Sequence, residues 1–181
     1  MTDAHPSAWT APVPAREEPG LCTGERESLE DWLAYHRATL LSKCAGLSPE
    51  QLKQRAAAPS ALSLLGLVRH MTLVERWWFR MHAAQEDVEL LYVTEDRMTA
   101  DFEDLDDADA AENLAAFERE CAAADAAVAG IDLDEVVPSR GHHPERVRNL
   151  RWIHLHMLEE YARHNGHADL LREAIDGTTG D

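Results

Sequence analysis

The residues with most chemical potential lie in one stretch near the C-terminus, Trp152 to Leu171, WIHLHMLEEYARHNGHADLL. On a helix advancing about 100° per residue, His156 and His164 fall within about 40° of Glu160, one turn to either side. Ile153, Met157, Ala168 and Leu171 share that sector, so titratable groups occupy a stripe that should face a core. His167 lies three residues beyond His164. A second such place is the run Ser63, Gly66, Leu67, His70, Val74, Trp77, Met81, whose helical spacing puts His70 at the centre of an inward stripe. Buried charge without a partner is too costly to keep. Two imidazoles and a carboxylate are a zinc donor set, and three protein ligands leave one position for water or substrate. His70, Glu160 and His164 are therefore the candidate metal ligands. His156 is a supporting or alternative ligand, and His167 a base or substrate contact at the pocket mouth. Trp77 is a wall for a bound cofactor. The alternative for the same residues is a metal-free network of hydrogen bonds.

The elements that must position these groups can be placed in order. Residues 1–22 are rich in Pro, Ala and Thr without periodicity and read as a flexible tail or strap, which Trp9 could pin. Leu29, Trp32, Leu33, His36 and Leu40 predict a helix over 25–44, with Gly46 as the glycine beyond its end. His36 reads as a satisfied core residue or a cavity lining. Ser48-Pro49-Glu50-Gln51 carries a capping box for a short second helix. The His70 helix spans about 60–84 and is apolar nearly all round, with Leu65, Val68 and Phe79 on its other side. Such a helix is either deeply buried or covered by a second subunit, and a homodimer is expected. Residues 85–106 form a long crossover whose acidic end, through Asp107, reads as solvated. An alanine-rich helix follows over 107–129. A loop through 131–145 leads to a final helix from about Pro144 to Ile175, with His142 and His143 solvated before it. Residues 178–181 are a short tail. The sum is all-α: one domain over 23–177, an antiparallel four-helix bundle with a long crossover between the second and third major helices.

Composition removes several classes of function. Lys plus Arg is 17 against 34 for Asp plus Glu, a net charge of −17. Such a surface repels phosphate backbones and anionic membranes, so no nucleic-acid or membrane partner is expected. Neither a membrane span nor a signal peptide is visible. Cys22, Cys44 and Cys121 are far apart and odd in number, as fits a reducing cytoplasm; Cys44 and Cys121 read as small core residues. Glu75, Arg76, Arg163 and Arg172 read as surface ion pairs. No nucleophile elbow, phosphate-binding glycine loop or dinucleotide fingerprint is present.

Three segments, LAYHRATLLSKCAGLS, PSALSLLGLVRHMTLVERWWF and NLRWIHLHMLEEYARHNGHADLLREAIDG, resemble the DinB-like (DinB/YfiT-like) superfamily of metal-binding four-helix bundles. The similarity covers about 25–177 and is greatest to the actinobacterial branch of mycothiol-dependent S-transferases. In the wider family a histidine of the second helix joins an H-x-x-x-H pair on the last. Here Glu160 stands first in that pair, which is similar to the two-histidine, one-glutamate zinc site of mycothiol-dependent maleylpyruvate isomerase. The resemblance implies a zinc-dependent transferase that activates a low-molecular-weight thiol, mycothiol, for attack on an electrophilic small molecule in detoxification or secondary metabolism. Two alternatives stay open. One is a mycothiol-dependent isomerase or metal-dependent hydrolase; the other is a non-catalytic module binding a metal or small molecule.

Overall fold

In a computed structural model, residues 9–138, 140 and 145–180 are described. Four long helical elements carry the bundle. The first is α1, Glu25–Cys44. A short α2, Pro49–Lys53, follows with both halves of its capping box made by Ser48 and Gln51. Next comes α3, Leu64–Glu75, continued without a break by a π-helix over Arg76–Ala83. The crossover holds α4, Ala100–Glu103. The third and fourth long elements are α5, Ala110–Val128, and α6, Leu150–Asp176. α1 lies along α6 and α3 along α5, and α3 also touches α6. This is the expected all-α bundle with its crossover between the second and third major helices. Among the described residues, no helix is long and apolar enough to cross a membrane.

Local chemistry explains the boundaries. Gly46, at φ 77°, takes the left-handed conformation that ends α1, and Gly177, at φ 78°, does the same for α6. The side chains of Ser63, Asp109 and Asn149 accept N–H bonds at the starts of α3, α5 and α6. The last of these corrects the expected start of the final helix near Pro144. Arg148–Asn149 form β2, paired antiparallel with β1, Val136–Val137, and only then does the helix begin. Pro144, His142 and His143 lie outside the described residues.

Leu65, Val68 and Phe79 are buried inside the chain, so the His70 helix is apolar nearly all round because it is deeply buried. The strap over residues 9–22 is held by its backbone: Ala11 exchanges hydrogen bonds with Gly46 and Leu47 and is buried, whereas Trp9 stays half exposed. Cys44 and Cys121 are interior, as expected.

Glu75 is not on the surface. It is fully buried on the apolar side of α3, gripped at both oxygens by Arg37 (2.7 Å each) and by the Tyr161 hydroxyl (2.6 Å). Arg37 also reaches Asp125, so one ionic cluster ties α1, α3, α5 and α6 together. Arg76 likewise pairs with a buried partner, Glu120. Arg163 and Arg172 do form pairs along α6, with Glu159 and Asp176.

Candidate metal centre

α3 and α6 bring His70, Glu160 and His164 together: one ligand atom from each lies within 4.8 Å of the others. Nε2 of His164 is 3.4 Å from a Glu160 oxygen. The rings of His70 and His164 meet edge to face at 4.8 Å. These are the three residues selected by spacing as ligands.

Orientation comes from a residue that spacing did not select. Asp101, in α4, accepts a hydrogen bond from His70 Nδ1–H at 2.8 Å and is almost wholly buried. It belongs to the acidic run expected to be solvated. With its proton held at Nδ1, His70 turns the lone pair of Nε2 to the cluster, the arrangement by which a carboxylate fixes the tautomer of a metal-binding histidine. Phe102, next in α4, stacks on the His70 ring at 4.6 Å. Nothing periodic marks these two, because α4 is a single four-residue turn.

His164 is kept neutral. Burial, then the nearby His70, His167 and Arg163, bring its pKa down to about 4. At neutral pH it offers a lone pair rather than a charge. His167 Nδ1 lies 3.4 Å from His164 Nδ1, at the edge of the cluster. His156 flanks the other side, with Nε2 3.6 Å from Glu160 and Nδ1 3.5 Å from Glu159. Those three residues form a second, more exposed group with potential ligand atoms in mutual reach.

The tryptophans beside His156 are Trp78 and Trp152. Trp77 packs its ring on His82 and gives its carbonyl to His82 Nδ1. Trp78 meets His156 edge-on at 4.7 Å, and Trp152 stacks on that histidine at 5.0 Å. A π-helix has a wider turn than an α-helix, so side chains after Glu75 lag behind the α-helical wheel. His36 is half-buried, with the Asn165 amide 3.3 Å from its Nδ1, as a satisfied core histidine would be.

The spacing of the donor set fits a metal ion. Imidazole–carboxylate hydrogen bonds settle at about 2.7–2.9 Å, yet the two imidazole nitrogens nearest Glu160 stand at 3.4 and 3.6 Å. Ligands about 2.0–2.1 Å from a tetrahedral ion are separated from one another by about 3.3 Å. The Glu160–His164 spacing is close to that edge.

A family model described as mycothiol-S-transferase matches residues 28–177. The chain belongs to the mycothiol-S-transferase family. That match spans every helix of the bundle, both sides of the candidate centre and the crossover that carries Asp101. Among curated proteins, none matches the chain.

Proposed function

We propose that the protein is a metal-dependent thiol S-transferase, with zinc as the metal and mycothiol as the thiol, acting on an electrophilic small molecule. The observation that carries this is the convergence of His70, Glu160 and His164, with Asp101 behind His70, in a chain of the mycothiol-S-transferase family. When bound, a zinc ion supplies the electrostatic stabilisation that lets a coordinated thiol persist as its thiolate near neutral pH.

The remaining tasks fall to the chain. His70, Glu160 and His164 hold the ion from two helices. Asp101 keeps the His70 proton at Nδ1, and burial keeps His164 unprotonated. Phe102 and Trp78 cover the His70 and His156 rings, restricting water there. His167 is placed beside the ligands to receive or return a proton as the thiol arrives and the product leaves. Cys44 and Cys121 take no part, since both are buried and burial raises their pKa values.

The test is consumption of mycothiol with an alkylating bimane as model electrophile. Turnover is expected with zinc-loaded protein and not with His164→Ala or Glu160→Gln, both of which should also lose the metal in elemental analysis. Thiol loss no faster with loaded protein than without protein would remove the transferase reading. Full metal content in both variants would remove the site.

A further inference from the structure

Although the chain is strongly acidic, one cleft on it is dominated by arginine. It lies between α3 with its π-helical continuation and α5, and has a volume of about 530 Å³. That is in the range of small-molecule sites. Arg69, Arg76, Arg80 and Arg119 line it with Tyr92 and Asn113, and so do two carboxylates, Glu112 and Glu120. Arg69 and His70 are adjacent in sequence, hence about 100° apart around the helix, and Arg76 and Arg80 continue the Arg69 side. The cleft is thus distinct from the His70–Glu160–His164 cluster.

Three of these guanidiniums have carboxylate partners. Arg76 and Arg80 share Glu120 at 2.6 and 3.1 Å, Arg80 also meets Glu86, and Arg119 pairs with Glu112. Arg69 differs. It is 8% exposed, and its hydrogen bonds among the described residues go to neutral acceptors. Nε donates to the Asp101 carbonyl at 3.0 Å, while Nη2 and Nη1 reach the Ala100 carbonyl and the Asn113 amide oxygen only at 3.4 and 3.5 Å. Normal N–H···O bonds are 2.7–3.2 Å, so both terminal nitrogens are slackly held. Tyr92 roofs the guanidinium, 4.2 Å from ring centre to Cζ, and does so at φ 66°, a conformation disfavoured for a bulky residue. Burial strips water from this guanidinium, which is costly for a cation. Arginine does not escape that cost by losing its proton.

We propose that this cleft binds a small oxyanion, a carboxylate or phosphate group carried by a small molecule, with Nη1 and Nη2 of Arg69 as its principal donors. Arg119, at the exposed rim, supplies the second positive charge. The anion gives Arg69 the charge-assisted bonds that its carbonyl and amide partners do not. This site does not depend on the metal reading of the His70 cluster.

Two probes separate the sources of the chemistry: inorganic phosphate and citrate, each titrated calorimetrically into metal-free protein at constant ionic strength against sodium chloride. Saturable binding of at least one is expected, and whichever binds identifies the preferred group. Arg69→Met should weaken it about ten-fold or more, and Arg119→Glu several-fold, from the loss of charge-assisted bonds. His164→Ala should leave it unchanged. Arg119 is exposed, so its variant decides the matter if Arg69→Met does not fold. Heats no larger than those of sodium chloride, unchanged binding in the arginine variants that fold, or loss of binding in His164→Ala would each overturn the proposal.

Discussion

Replacing Asp101 by Asn tests how His70 is made into a ligand. The two side chains have nearly the same size, so the substitution opens no cavity in a site that is 1% exposed. What changes is the proton inventory. In the native arrangement one carboxylate oxygen accepts from the Phe102 backbone N–H at 3.1 Å and the other from His70 Nδ1–H at 2.8 Å. An amide has one acceptor oxygen and one NH₂. Phe102 has only an N–H to offer, so the amide oxygen stays with it and the NH₂ faces His70. The imidazole must then accept at Nδ1 and carry its proton on Nε2, which withdraws the lone pair from Glu160 and His164. Substitutions of such supporting partners typically cost 10–100-fold in metal affinity. Because this one reverses the tautomer and does not merely weaken a bond, the upper end is expected: about 100-fold, or about 2.7 kcal/mol. Competition for zinc against a chromophoric chelator at pH 7.5 measures it, with circular dichroism to show the fold intact. Asp104→Asn is the control, since that aspartate is exposed and pairs with Arg97; it should leave affinity unchanged. A folded Asp101→Asn protein within two-fold of the parent would refute the tautomer argument.

Three further outcomes follow from the core. Glu75→Ala leaves the Arg37 guanidinium short of its buried partner and should cost about 3–5 kcal/mol in urea unfolding; a loss below about 1 kcal/mol would mean that the Arg37–Glu75–Tyr161 cluster is not closed as described. His154 is buried against Phe79 with neither ring nitrogen hydrogen-bonded among the described residues, so His154→Leu should stabilise the protein at pH 7 by about 1–3 kcal/mol. Burial brings the His154 pKa to about 4, so between pH 6.5 and 4 the unfolded chain takes up a proton that the native one refuses. His154 alone should therefore lower native stability by roughly 3 kcal/mol as pH drops through that window, so His154→Leu should lose that much less than the parent; parallel pH profiles for the two proteins would contradict this. Cys22 is exposed and the other two cysteines are buried, so a thiol reagent should label one site per native chain and three in denaturant; rapid native labelling of Cys121 would show that the bundle opens there.

The ligands were legible because helical periodicity is a local property: Glu160 and His164 are one turn apart, and His70 sits amid its own apolar run. Asp101 was not, because its bond to His70 crosses 31 residues of chain and starts from a single turn of helix. Glu75 was misjudged for a different reason. Charged residues are rarely buried, and that general expectation outweighed a signal that was present, since Leu65, Val68, Thr72, Glu75 and Phe79 follow one another at helical spacing on one side. The start of α6 was misplaced because Pro144 fits a first turn, whereas Asn149 makes the cap. The directions of Trp77 and Trp78 could not be read on a wheel of fixed pitch, because the change of pitch begins only after Glu75.

That last point connects the buried ion cluster to the site. Glu75 is the final residue of the α-helical part, and the π-helix begins at the next position. At that junction the side chain is held from two directions, by Arg37 of α1 and Tyr161 of α6. Tyr161 directly follows Glu160, and Glu75 is five residues after His70. The cluster thus fixes the register of α3 against α6 within about a turn and a half of both ligand positions. It also marks where the helix widens to bring Trp78 over His156. A hydrophobic substitute of similar volume could match the stability of a buried ion pair, but it would slide along its neighbours more freely than a carboxylate bound by three directional hydrogen bonds. Two helices that must present ligand atoms to one small volume are served by such bonds, because a shift of one residue, about 1.5 Å along the axis and 100° around it, takes His70 out of reach of Glu160.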